Sequence, residues 1–386
     1  MTTFSVVGTK PIHFAGPLPH RTFVTLDGLR GVAAIAVALG HYRSLVEPIN
    51  AERAYLAVDL FFILSGFVLA YSYQQQLAST MSSWAFMRRR LIRLYPCYLL
   101  GTFAWAVGAA AAVAAHAHVT WTARNLAASL LASIFFVPAP WSGPQGGVLY
   151  PLNIPAWSLL WELLINLFYA LIARRLTNTL LISLIGISGL TLIFVTIAVG
   201  NINVGATWSM AFGGAPRVTF GFFTGVGIFR LYAANKLPRL HLPAPVLLTV
   251  CAALLVSGPG AVGGIFGVIV VLGLFPCIVA AAVQVEPVYA ARVFTLLGIV
   301  SYPFYMIHYP ALQYLLRFLS MVSHDHMKIL TPWLGLFVIA GLLVICWWID
   351  RYFDSPLRKW LAINFAAPAP QKLIGDRAYE SDKPGA

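Results

Sequence analysis

The sequence predicts an all-α, polytopic integral membrane protein with about ten transmembrane helices in one bundle, and three observations predict it. Of 386 residues, 60% are hydrophobic and only 10% are charged, whereas a soluble domain carries about 25% charged residues. Lipid must therefore be the solvent for most of the surface. Apolar stretches of about 20 residues, the length that crosses the hydrocarbon core as a helix, recur along the chain. The segments between them are alternately rich and poor in Lys and Arg, as when successive loops face opposite sides of a bilayer.

The expected spans are 27–46, 54–77, 94–115, 155–173, 179–200, 216–233, 243–258, 262–283, 292–316 and 332–350. The first is unusually polar and the seventh is short. The stretch 124–138 is apolar but also short, which suits a re-entrant or interfacial helix. No internal repeat and no second domain is evident. The expected organisation is a cytoplasmic N-terminal segment (1–21), a membrane domain (22–360) and a polar, Pro-rich tail (361–386) of disordered composition. The first twenty residues hold no continuous apolar core, so no cleavable signal peptide is expected and the first membrane helix does the targeting.

With the N-terminus placed inside, 19 of the 25 Lys and Arg residues fall on inside segments and 6 outside. Basic residues accumulate on cytoplasmic loops, so both termini are expected in the cytoplasm, with the protein in the inner (plasma) membrane. The same bias accounts for the formal net charge of +13. Nucleic acid is not an expected partner, because no basic stripe lies beside an aromatic platform for single strands. Cys97, Cys251, Cys277 and Cys346 are scattered in or beside apolar runs. They lack metal-ligand spacing and read as small buried hydrophobes, so no metal is expected.

Ionisable side chains at membrane depth cost several kcal/mol. Here they are Asp27, Arg30, His41, Asp59, Glu162 and His308. Arg30 and His41 are eleven residues apart, about 1100° of helical rotation, which puts them on one face roughly 16 Å apart along the axis. Asp27, one turn before Arg30, is placed to hold its guanidinium. These residues also admit plainer roles: Asp27 and Arg30 as interface residues, His41 as a wetted histidine, His308 as a packed one. Glu162 has no basic neighbour one turn away and must face a cavity or a partner on another helix. Ser65–Gly66 reads as a close helix-packing point. Arg88, Arg89, Arg90 and Arg93 precede a span, where they suit a topology anchor or a phosphate site, since the planar guanidinium matches phosphate oxygens.

At these residues the sequence resembles acyltransferase family 3, the membrane acetylases of bacterial surface polysaccharides and some antibiotics. The matching blocks are LDGLRGVAAIAVALGHY, VDLFFILSGFVLA, FMRRRLIRLYPCYLL, PAWSLLWELLINLFY and SYPFYMIHYP, in the family's order, from about 22 to 360. The resemblance implies a ten-helix core, an acyl-coenzyme A donor (acetyl-CoA by family precedent) entering from the cytoplasm, and an acceptor hydroxyl on a sugar, glycolipid or polysaccharide. Arg30 and His41 fall on the family's signature pair, Glu162 on its acidic position after the Trp-Ser block, and Arg90 and Arg93, beside Arg89, in its basic block. The implied catalytic residues are His41, Arg30 and Glu162, with Arg89, Arg90 and Arg93 on the donor. Some members carry a fused extracytoplasmic hydrolase-like domain, which is not expected in this chain. The physical chemistry agrees: acyl transfer to an alcohol needs a base, and imidazole titrates near neutral pH. The main alternative is a secondary transporter using its buried Asp, Glu, His and Arg, a class that often shows two related halves.

Overall fold

The computed structural model describes residues 21–49, 51–115, 121–139, 147–240, 242–256, 263–287, 289–322 and 330–365. Most of the expected N-terminal segment and tail lies outside these residues.

Among the described residues the chain is a single helical bundle with no strand, only an isolated bridge between Val148 and Thr207. In chain order the helices are α1 (Val24–His41), α2 (Ala57–Ser79), α3 (Ser83–Ala114), α4 (Ala123–Ile134), α5 (Ala156–Ile172), α6 (Asn178–Val199), α7 (Gly214–Ala233) and α8 (Ala244–Val256). Next come α9, which runs from Gly263–Ile269 through a π-helical stretch, Val270–Leu274, into Phe275–Ala282, then α10 (Ala291–Val322) and α11 (Trp333–Ile349). A second π-helical stretch, Asp350–Asp354, leads into α12 (Ser355–Phe365).

Seven of these helical segments are long and apolar enough to cross a membrane: α1, α2, α3, α5, α6, α9 and α11 with its extension. The remaining expected spans correspond to α7, α8 and α10. At 13 residues, α8 is only about 20 Å long by helical rise. Polar and small residues dilute the other two: Arg217 and Arg230 in α7, and Arg292, His308, Pro303 and Pro310 in α10. Both pack against several other helices, and a helix wrapped by protein need not be as apolar as one facing lipid. The expected re-entrant stretch is α4, whose 12 residues are too short to span.

Local chemistry sets several boundaries. The hydroxyls of Ser82, Thr122 and Thr177 accept from backbone N–H groups at the starts of α3, α4 and α6, each at 3.1 Å, as N-caps do. At its other end α6 stops on Gly200, whose φ of +83° is a left-handed conformation open to glycine. With 32 residues, α3 is about 48 Å long, well beyond the ~30 Å hydrocarbon core.

The tightest seam joins α2 and α7. A Cβ on Gly66 would collide with the carbonyl of Phe222, and one on Gly225 with the carbonyl of Ile63. Small residues let these backbones touch, as expected for Ser65–Gly66. On the other side α1 packs along α10, where a Cβ on Gly31 would strike Leu297.

Candidate functional site

Three cavities lie in series through the bundle. The central one, about 210 Å³, is lined by Arg30, Ser65, Arg90, Arg93, Glu162 and Tyr305 among others. Arg30 comes from α1, where Asp27 holds its Nη2 at 3.3 Å, one turn away as expected. Glu162 of α5 finds its partners on other helices: Arg90 Nη2 of α3 at 2.6 Å and the Ser65 hydroxyl of α2 at 2.9 Å, both on Oε1. Neither charge of this pair is sealed, with side-chain exposures of 13% for Arg90 and 19% for Glu162.

Toward the basic end, the central cavity shares Val68, Leu69, Arg90 and Arg93 with a larger vestibule of about 670 Å³. Arg89, Arg358 and Lys359 also line it. The expected donor-binding trio thus sits along one passage, Arg89 in the vestibule alone and Arg90 and Arg93 at its junction with the interior. Arg93 Nη1 lies 3.6 Å from Asp354 Oδ2, and the Arg358 Nε lies 2.9 Å from the same oxygen. Asp354 is fully buried and carries no sequence signal, lying just past the expected span 332–350.

Toward the opposite end, the central cavity shares Val58 and Tyr305 with a third cavity of about 480 Å³. His41 opens into it, beside Tyr55, Trp157, Asn203 and an ion pair at 2.6 Å between Arg43 and Glu52. His41 and Arg30 share a face of α1 but serve adjoining cavities. Tyr305 marks the junction, its hydroxyl 2.9 Å from the buried Ser158 hydroxyl.

His41 is paired with His308, which is fully buried on α10. The Nδ1 of His308 lies 3.1 Å from the Phe304 carbonyl oxygen. A carbonyl only accepts, so Nδ1 carries the hydrogen and Nε2 the lone pair. That Nε2 is 3.0 Å from His41 Nδ1, which must then donate. The chain of partners assigns the tautomers and leaves the His41 Nε2 with a lone pair, as a general base requires. His308, open in the sequence between a packed and a chemical role, is a buried, hydrogen-bonded neighbour of His41.

One charged cluster lies outside the passage. Arg217 and Asp59, both fully buried, make a two-pronged pair at 3.0 and 2.6 Å. The guanidinium also donates to the carbonyls of Val204, at 2.7 Å, and Tyr55, at 3.1 Å. Its Cζ lies 5.3 Å from the centroid of the Trp157 ring. Arg217 was counted among the outside basic residues by the charge tally. Its apolar helix was the available sign that it needed a buried partner. Among the described residues no group of three or more His, Cys, Asp or Glu could hold a metal ion.

The acyltransferase domain profile matches residues 23–351. The chain belongs to acyltransferase family 3. It is a membrane acyltransferase, and the transporter alternative gives way to an enzyme. The chain is 36% identical over 185 residues to "Protein 2 in picA locus" of Rhizobium radiobacter, covering 45% of this chain and 94% of that protein. It is 32% identical over 119 residues to the "Exopolysaccharide production protein ExoZ" of Rhizobium meliloti (strain 1021), covering 31% of this chain and 33% of that protein. No solved structure matches.

Proposed function

We propose that this acyltransferase moves an acyl group, acetyl in the simplest case, from a cytoplasmic acyl-coenzyme A to a hydroxyl of a polysaccharide or glycolipid at the inner membrane. The observation that carries the reading is the series of three cavities, cationic at one end and opening at the other onto a histidine with a free lone pair. The donor's phosphates occupy the vestibule and its pantetheine arm, roughly 15–20 Å long when extended, threads the central cavity. Arg30 and the Arg90–Glu162 pair line that path and position the arm. The acceptor enters beside Trp157 and Tyr55, where aromatic and polar groups together suit a sugar face. The name of the exopolysaccharide production protein favours a polysaccharide over other alcohols.

In this reading His41 Nε2 takes the proton of the acceptor hydroxyl as its oxygen attacks the thioester carbonyl. The C–S bond then breaks, and the imidazolium returns the proton to the departing coenzyme A thiolate, leaving an ester and a thiol. His308 holds the imidazole in the required tautomer. Only a neutral imidazole accepts the proton, and the hydrogen-bond chain through His308 describes His41 in that state.

Mass spectrometry of surface glycans from a deletion strain, complemented with wild type or His41→Gln, tests this. Wild type restores an acyl-sized mass on a saccharide. The variant inserts normally but turns over about 10²–10⁴-fold more slowly. Substantial transfer by well-expressed His41→Gln would show that the base lies elsewhere, and an acyl mass found only on lipid or protein would refute the saccharide acceptor.

A further inference from the structure

We propose that the C-terminal helix α12 forms the second jaw of the donor's phosphate site, with Lys359 gripping the phosphorylated nucleotide end of the donor together with Arg89, while Arg358 anchors the helix. The proposal rests on the coenzyme A reading above and adds residues that lie past the end of the family match at 351.

The charges of the vestibule are unbalanced. Five cations line it, Arg89, Arg90 and Arg93 from α3 and Arg358 and Lys359 from α12, and no carboxylate does. Three of the five are already engaged. Arg90 holds Glu162 at 2.6 Å, and Arg93 reaches Asp354. Arg358 is held by Asp350 at 3.0 Å and by Asp354 at 2.9 Å. Among the described residues Arg89 and Lys359 make no ion pair, so their charges are open to an incoming anion. Lys359 is exposed and Arg89 half-buried, which leaves both heads accessible.

The placement of α12 is built in. Asp354 sits under both Arg93 of α3 and Arg358 of α12, so one buried carboxylate ties the two walls together. The Ser355 hydroxyl accepts from Arg358 Nη2 at 2.9 Å and itself lines the vestibule. A volume of about 670 Å³ is in the range of small-molecule sites, roughly 300–1,000 Å³. Its shared wall with the central cavity points the thread of the ligand inward. Phosphates satisfy this set of forked and point cations better than a single carboxylate could.

An anionic lipid headgroup offers the same chemistry, and the test separates the two. Wild type, Lys359→Ala and Lys359→Glu are placed in nanodiscs of phosphatidylcholine alone, and coenzyme A, adenosine 3′,5′-bisphosphate and pantetheine are titrated. Lys359→Ala should lower affinity for coenzyme A and for the bisphosphate about five- to tenfold, and Lys359→Glu more, with pantetheine binding unchanged. The loss should shrink in high salt, because an exposed charge is screened. Equal coenzyme A affinity for wild type and Lys359→Glu would overturn the proposal while leaving the donor reading intact. So would a difference between wild type and variants that appears only when phosphatidylglycerol is added to the discs, which would make α12 a lipid contact. Failure of wild type to bind coenzyme A at all would overturn the donor reading and the second jaw with it.

Discussion

Arg217 with Asp59 and Arg90 with Glu162 are the same pair of residue types in two settings. The first pair is fully buried, two-pronged, and backed by two carbonyls and an aromatic ring. The second is held by one short contact, shares its carboxylate with a serine, and borders a cavity. Burial without vacancy is architecture: each nitrogen of the Arg217 guanidinium has an acceptor, and nothing could bind there without displacing protein. Partial burial beside open volume keeps a charge available to a ligand. Ion-pair chemistry alone therefore says little about function at membrane depth. The space beside the pair says more.

The largest expected effect breaks the sealed pair. Replacing Asp59 by Ala or Arg217 by Met strands one buried charge, at about 3–5 kcal/mol, so folded protein should fall sharply in a detergent melting assay. Replacing both together, Asp59→Leu with Arg217→Met, should recover much of that loss, since an apolar pair of similar volume is often neutral. Failure of the double variant to recover would assign the pair a role beyond holding α2 to α7.

A smaller, differently directed effect is expected in the cavity. Glu162→Gln keeps an acceptor for Ser65 but removes the charge facing Arg90. Turnover should drop about ten- to a hundredfold, equivalent to roughly 1.5–3 kcal/mol, while the melting temperature moves little. If Glu162→Gln melts as early as Asp59→Ala, the contrast between the two pairs collapses.

The last test leaves both charge pairs intact and reads which pair lies nearer the cytoplasm. In a background with the exposed Cys277 replaced by Ser, an impermeant thiol reagent applied to intact cells should label Asn203→Cys and spare Ser82→Cys. Labelling in the reverse order would invert the proposed direction of transfer.

Much of this was legible in the chain. Apolar runs of membrane length located most helices, and helical periodicity put Arg30 beside Asp27 and on the His41 face, because those relations are local. Glu162 was legible as a question: a carboxylate with no neighbour on its own helix had to find one elsewhere. The answers were not legible. Arg90, His308, Asp59's partner Arg217, and Asp354 come from segments far apart in sequence, and only the packing of α3 on α5, α1 on α10, α2 on α7 and α12 on α3 brings them to their partners. The apolarity criterion also underrates α7 and α10, since helices shielded by neighbours escape the pressure that lipid applies.

The junction at Tyr305 carries a consequence for the cell's energy supply. Cavities entering from both faces of an energised membrane threaten to short-circuit it, since a continuous file of water would conduct protons down the gradient that drives ATP synthesis. Here the central and outer cavities meet at Val58 and Tyr305, and Tyr305 is tethered to the Ser158 hydroxyl. An aromatic side chain at that point narrows the joint between the two cavities. On the proposed reading, the acyl group crosses this joint while the joint itself stays narrow.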